Sequence, residues 1–122
     1  MKTTLSGRWG EAVSADFLRR HGYEILAVNY RSRWFEVDII AKKGNVTAFV
    51  EVKLRHDDKF SSAREAVDAK KRKRIIDAAK MWQSENGDED QIRFDVMEVY
   101  AKEPLDEKTA EINHIKNAFF IE

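Results

Sequence analysis

The chain has no cysteine, which excludes disulfides, thiolate metal sites and cysteine nucleophiles and fits a reducing compartment. It also has no excess of charge. Lys plus Arg and Asp plus Glu both number 22, so no whole-molecule field marks a polyanionic partner, and any such contact has to come from local clusters. Long apolar runs are missing as well: no signal-like core follows Met1 and Lys2, and no stretch approaches the ~20 apolar residues that a bilayer span requires. The expectation is a cytoplasmic protein with no membrane partner. Proline occurs once, at position 104, and glycine only at 7, 10, 22, 44 and 87, so the breaks between elements are few and easy to place. What remains is 122 residues, 43% hydrophobic, with neither internal repeat nor low-complexity linker, and that predicts a single domain over residues 1–122.

The apolar pattern divides this domain into seven elements. Trp9, Ala12, Val13, Phe17 and Leu18 recur at helical spacing and Gly22 supplies a stop, predicting a first helix over residues 9–21. Residues 23–30 and 35–41 read as strands, and the turn at 42–45 leads into a third strand over 46–55, forming a hairpin. Ser62 followed by Glu65 resembles a capping box, and the stripe Ala63, Ala66, Val67, Ile75, Ala78, Ala79, Trp82 predicts a long second helix ending before Gly87. Residues 93–100 and 112–121 supply the last two strands, giving the order αβββαββ, an α/β fold with a mixed sheet flanked by helices.

The chemistry concentrates in the hairpin. Alternation puts Glu36 and Asp38 on one face of the second strand, and Phe49, Glu51 and Lys53 on one face of the third, with Val37, Ile39, Val50 and Val52 opposite. A turn centred near Gly44 brings Asp38 across from the Phe49 to Glu51 region. Two carboxylates about 4 Å apart repel by ~4 kcal/mol at an effective dielectric of 20, which asks for a cation, a shared proton or an escape into water. A divalent metal answers this economically, and hard oxygen ligands suit Mg²⁺ or Mn²⁺, ions that can bind a phosphate oxygen and sharpen a water into a nucleophile. Lys53 points the same way as Glu51 and can hold that water or neutralise charge growing on a phosphoryl group. Glu-x-Lys on a strand is by itself a common cross-sheet charge pattern. Here the flanking Phe49, Val50 and Val52 mark the strand as central, where Asp, Glu and Lys are seldom buried unless paired or functional.

Asp38, Glu51-x-Lys53 and an upstream Glu11 on the first helix together resemble the PD-(D/E)XK nuclease superfamily. More narrowly, the chain resembles the YraN-like family of bacterial proteins, described as predicted endonucleases related in fold to archaeal Holliday-junction resolvases. The match is nearly full length and rests on Gly10-Glu11, Asn29-Tyr30-Arg31, Glu36-Val37-Asp38-Ile39-Ile40-Ala41, Phe49-Val50-Glu51-Val52-Lys53, Glu65-Ala66-Val67, Lys71, Arg93-Phe94-Asp95-Val96 and the late Ile115 to Phe119 segment. The resemblance implies a restriction-endonuclease-like core and a Mg²⁺- or Mn²⁺-dependent endonuclease acting on DNA, branched or junction forms included. It implies Asp38 and Glu51 as metal ligands, the Val52 carbonyl as a further ligand, Lys53 as the catalytic lysine and Glu11 as a direct or outer metal partner. It also implies a homodimer, since related resolvases cut paired strands as symmetric dimers. The chain departs from the family pattern at Trp34-Phe35, where small residues are usual, at Leu54, which replaces a polar residue, and at Ser61 and Ala63, in place of glycine and proline.

Basic residues lie beside the motif. Lys70, Lys71, Arg72, Lys73 and Arg74 run along the second helix, with Arg31, Arg33 and Arg55 on or near the strands, and such groups can grip phosphates. Five consecutive residues span all sides of a helix, so they cannot face one ligand together, and ordinary solvated ion pairs are the competing reading. Lys71 falls on the apolar stripe, which directs its head toward the sheet and the site unless it snorkels to water. Glu36 either supports the site or faces solvent beside Arg33. His21, His56 and His114 lack the spacing of a zinc pair and read as surface residues, Asp95 reads as structural, and Trp34 and Phe35 read as core edge, dimer contact or base wedge. Three function classes follow: a metal-dependent endonuclease, a nucleic-acid-binding module of the same fold without chemistry, and an adaptor whose charged patch pairs with an acidic partner.

Overall fold

The computed structural model describes residues 5–55, 67–100 and 110–121. Its elements are α1 (Leu5–Arg20), β1 (Glu24–Arg31), β2 (Glu36–Lys43), β3 (Val46–Arg55), α2 (Ala69–Asn86), β4 (Gln91–Tyr100) and β5 (Glu111–Phe119). The strands form one mixed sheet in the order β1-β2-β3-β4-β5, antiparallel throughout except for the parallel β3–β4 pair that α2 connects.

Alternation along β3 sorts the core into two layers. Ala48 and Val50 pack with Val13, Ala15 and Leu18 of α1, whereas Phe49 packs on the other side with Ile75, Ala78 and Ala79 of α2. The near-continuous apolar character of β3 and β4 follows from this burial on both faces. Gly44 makes the β2–β3 hairpin possible: at φ 61° it opens a two-residue loop between the paired Lys43 and Val46, a conformation that excludes most side chains.

The second helix begins later than its apolar stripe predicts. Val67 sits fully buried in a bend and Asp68 caps the helix, its carboxylate accepting from the Lys71 N–H at 2.8 Å. The capping box at Ser62 and Glu65 lies outside the described residues, as does His56. Helix α1 starts at Leu5, ahead of Trp9.

Strict alternation fails in β2, against the sequence expectation that Val37 and Ile39 share a face. Ile39 packs with the α1 cluster, but Val37 packs with the α2 cluster. The cause lies in the neighbouring strand. Asn29 adopts φ 55°, a left-handed conformation that asparagine tolerates, between the pairs Val28–Ile39 and Tyr30–Val37, and β1 and β2 change face together there. A further irregularity occurs in β5, where three residues, Lys116 to Ala118, stand between the pairs Ile115–Val96 and Phe119–Phe94 against one, Asp95, in β4, with Asn117 at φ 55°.

Candidate active site

The β2–β3 ladder runs from the turn to Ile39–Val50 and stops. Beyond it the strands part, and the Asp38 carboxylate takes over the role of a ladder acceptor: its Oδ2 accepts the Val52 N–H at 2.7 Å. Continuing the register places Asp38 beside Glu51, as the turn position predicted. Glu51 is 4% exposed, on the same side of β3 as Phe49. Burial first, then a hydrogen bond and the charge of Asp38, push its carboxyl up to about 9, while Lys71 and Lys53 pull in the opposite direction.

Lys71 supplies the nearest cation. From α2 its Nζ reaches Glu36 Oε1 at 2.5 Å and lies 3.3 Å from Glu51 Oε2. The second contact is an ion pair without hydrogen-bond alignment, so Glu51 Oε2 has no hydrogen-bond partner among the described residues. Glu36 resists the effect of burial because Lys71 and then Arg74, at 3.6 Å, hold its carboxyl below the usual range. Burial likewise works against the Lys71 charge and is outweighed by Glu36, Glu51 and Asp38. Glu36 is therefore turned to the helix rather than to open solvent.

Glu11 approaches from α1. Its Oε1 accepts from the Asn29 side chain at 2.7 Å, so the left-handed asparagine that reverses the strand faces also anchors this carboxylate. Burial and then the Asp38 charge raise the Glu11 carboxyl. It lines a cleft of about 360 Å³ between α1 and β1 with Arg8, Asp16, Arg19 and Val28. Among the described residues, however, no group of three or more His, Cys, Asp or Glu side chains is arranged to hold a metal ion. Asp38 and Glu51 form the close pair, and Glu11 is within electrostatic reach of Asp38.

The remaining sequence candidates divide by position. Lys53 follows Glu51 on the same face of β3 by alternation, and its charge reaches the Glu51 carboxyl. The Val52 side chain packs toward α1 while its N–H serves Asp38. Arg74 donates to the Arg33 carbonyl at 3.2 Å and tethers the β1–β2 turn to α2. Arg31, Arg33 and Lys70 are exposed. Arg55 turns instead to Glu98, 3.5 Å from its Oε2, and Glu98 Oε1 accepts from Asn113 at 3.1 Å. Lys73 makes an ordinary helical pair with Asp77, and Arg72 donates to the Val67 carbonyl, so the basic run disperses around α2.

Three features escaped the sequence reading. Asn29 stands in the motif Asn29-Tyr30-Arg31, but its role was hidden, because an asparagine in a strand pattern does not disclose a positive φ. Glu98, buried at 3% exposure, was detectable as a lone carboxylate inside the apolar run from Val96 to Val99. His114 is not a surface histidine: its Nε2 lies 2.8 Å from Asp95 Oδ2 and its side chain is 8% exposed. Asp95 also accepts two bonds from Arg93 at 2.8 Å and the Asn117 N–H at 3.2 Å, and Arg93 reaches the Tyr23 hydroxyl at 2.7 Å. This buried network pins the β5 irregularity to β4, consistent with the structural role expected for Asp95.

Residues 10–99 match the family described as "Uncharacterised protein family UPF0102". A UPF0102 protein of Clostridioides difficile strain 630 is 43% identical over 120 residues, covering 98% of this chain and all of the relative. One of Chlorobium chlorochromatii strain CaD3 is 42% identical over 118 residues, 95% of this chain and 92% of the relative. Another, from Nocardia farcinica strain IFM 10152, is 48% identical over 94 residues. With the matched region spanning both helices and the first four strands, the chain belongs to the UPF0102 family, the YraN-like family that its motifs resemble.

Proposed function

We propose that this chain is a divalent-metal-dependent endonuclease that hydrolyses phosphodiester bonds in DNA, branched or junction DNA being the intended substrate. One observation carries the reading: Glu51, 4% exposed, lies beside the half-buried Asp38, has an oxygen without a hydrogen-bond partner among the described residues, and is followed two residues later by Lys53. A folded domain gains no stability from two carboxylates so placed, which favours a functional over a structural origin. The donor set fits a hard cation such as Mg²⁺ or Mn²⁺: Asp38 and Glu51 would hold it, with the Val52 carbonyl and Glu11 as further oxygen donors. Such an ion supplies Lewis-acid polarisation of a phosphoryl oxygen and a more acidic water.

The protein groups divide the remaining work. The Val52 N–H fixes the Asp38 rotamer, so that carboxylate is oriented before substrate arrives. Lys53, on the Glu51 face, can hold the attacking water or stabilise charge on the phosphoryl oxygens. Lys71 and Arg74, anchored on Glu36, Arg31 at the end of β1 and Arg33 on the turn that follows it offer positive charge to the flanking backbone, with Lys70 exposed at the start of α2.

A second reading, nucleic-acid binding without cleavage, draws on the absence of a three-ligand cluster among the described residues and on the Lys71 ammonium, which already pairs with Glu36 and lies 3.3 Å from Glu51. The two separate in one experiment. Labelled single-strand, duplex, flap and four-way-junction DNA is incubated with Mg²⁺ or Mn²⁺ and wild type, Asp38→Ala or Lys53→Ala, purified identically. Metal-dependent cutting by wild type that drops at least 100-fold in both variants, with folding retained by circular dichroism, supports the nuclease. Binding without cutting by any form supports the second reading.

A further inference from the structure

We propose that the β1–β2 turn is a base-stacking subsite in which Trp34 receives an unpaired nucleobase next to the candidate cleavage site. The inference rests on the nucleic-acid reading above and specifies the substrate: DNA with an unstacked base close to the scissile phosphate. Of the exposed large apolar side chains among the described residues, Val28, Trp34, Met81, Phe120 and Ile121, Trp34 is the most exposed at 70%. Its neighbour Phe35 behaves differently, packing against the α2 cluster with Tyr30 at a ring separation of 5.1 Å. The pair Trp34-Phe35 thus splits into one core residue and one displayed ring.

The ring is displayed on a braced turn. Ser32 N–H donates to the Phe35 carbonyl at 2.9 Å, Trp34 N–H donates to Ser32 Oγ at 3.1 Å, and Arg74 holds the Arg33 carbonyl from α2. The Arg33 guanidinium lies 5.3 Å from the Trp34 ring centroid, so a cation already sits on the ring. Trp34 precedes Glu36 by two residues, and Lys71 bridges Glu36 to Glu51. A base held at Trp34 is therefore tied through one short chain of contacts to the carboxylate pair.

Charge selects the occupant. The Arg33 guanidinium lies against the ring, and the same turn is held by Arg74, which also pairs with Glu36, so the cation on the ring suits a polyanion that also carries π faces. A second copy of this chain, docked tip to tip about a two-fold axis, would set the same cations against each other. Bases inside a duplex have both faces stacked, so a single ring can engage only a base already released at a gap, bulge or branch point.

The test is fluorescence anisotropy in EDTA, which keeps cleavage out of the readout, with duplex DNA carrying a short single-stranded gap and with the same sequence fully paired. The expected result is a roughly 5- to 150-fold weaker Kd for Trp34→Ala on gapped DNA, the range reported for loss of one base–aromatic stack. On paired DNA the change should stay within about twofold, and Trp34→Phe should recover most of the loss. Quenching of tryptophan emission by gapped DNA should appear in wild type and be missing in Trp34→Phe, which isolates this ring from Trp9 and Trp82. Equal weakening on both DNAs, or none, overturns the subsite while leaving the nuclease reading to its own cleavage assay. Trp34→Ala converting a wild-type dimer to monomer with unchanged DNA affinity overturns it in favour of a protein contact. Failure of wild type to bind gapped DNA overturns the subsite and leaves the nuclease reading to the cleavage assay with Mg²⁺ or Mn²⁺.

Discussion

Replacing Glu51 with glutamine should stabilise the metal-free protein at neutral pH, an unusual direction for a substitution at a 4% exposed position. Folding lifts the Glu51 carboxyl from an ordinary 4.5 to about 9, through burial and the adjoining Asp38. At pH 7 the unfolded chain carries the carboxylate and the folded chain carries the acid, so folding includes taking a proton from water. At 1.36 kcal/mol per pH unit between 4.5 and 7, that uptake costs about 3 kcal/mol. Glutamine has nearly the same shape and needs no proton. Its amide is a poorer partner for Lys71, so the net gain in EDTA should be about 1–3 kcal/mol, raising Tm by roughly 3–10 °C in a domain of this size.

The pH dependence carries the stronger test. A raised folded pKa contributes stability that is fully present below the unfolded value and lost as pH rises through the folded one. The advantage of Glu51→Gln should therefore be near zero below pH 4.5, grow with pH, and level off above about 9. Urea unfolding of both proteins in EDTA across pH 5 to 9 measures it. Adding Mg²⁺ should then reverse the order, because an ion that binds the ionised pair stabilises wild type by ~2.7 kcal/mol at a hundredfold excess over its Kd and leaves Glu51→Gln nearly unmoved. A variant less stable than wild type at pH 7, by an amount that does not change with pH, would refute the reasoning: Glu51 would then be ionised in the folded chain, with Lys71 as its full compensation.

Two further outcomes concern the framework. Asp95→Ala, which leaves Arg93 half-buried without its bidentate partner, should cost about 3–5 kcal/mol in urea unfolding. Burial works against the ionised Asp95 but His114 and Arg93 outweigh it and hold its carboxyl below the usual range, so this stability is present above the unfolded pKa and should fade as pH falls through the lower folded one. Phe49→Ala, at the centre of the α2-side core against Phe94, should cost about 3–5 kcal/mol with metal-independent DNA binding unchanged once the variant is folded, measured by denaturation and anisotropy.

What could be read from the sequence was what short-range pattern determines. The β2–β3 hairpin follows from a glycine between two alternating runs, and its register then places Asp38 beside Glu51 without further information. The α1 and α2 faces follow from helical spacing. The start of α2 did not, because Val67 fits the apolar stripe whether it lies in the helix or in the bend before it, and only the Asp68 cap decides. The face change at Asn29 was equally hidden: a backbone angle of one residue, stabilised by tertiary contact with Glu11, alters where Val37 and its neighbours point. His114 was misread for the same reason, since its partner Asp95 lies on another strand, and the burial that defines its role comes from Tyr23 and Phe17.

The face change and the carboxylate pair are linked. In a continuous ladder the Val52 N–H would bond to a backbone carbonyl of β2 and the Asp38 side chain would be one more group standing off the sheet. Because β2 leaves the ladder at Ile39, the N–H needs another acceptor, and Asp38 supplies a charged one at 2.7 Å, a stronger bond than the amide it replaces. The strand end is thereby closed, and a carboxylate is fixed beside Glu51 where repulsion would otherwise drive it toward water. Lys71 then limits the electrostatic cost from the opposite layer, at the distance of an ion pair rather than a full hydrogen bond to Glu51. A sheet that needed only stability would resolve this site with an apolar pair. This one keeps two acids, and a carboxylate oxygen without a hydrogen-bond partner among the described residues, at the place where its β2–β3 ladder ends.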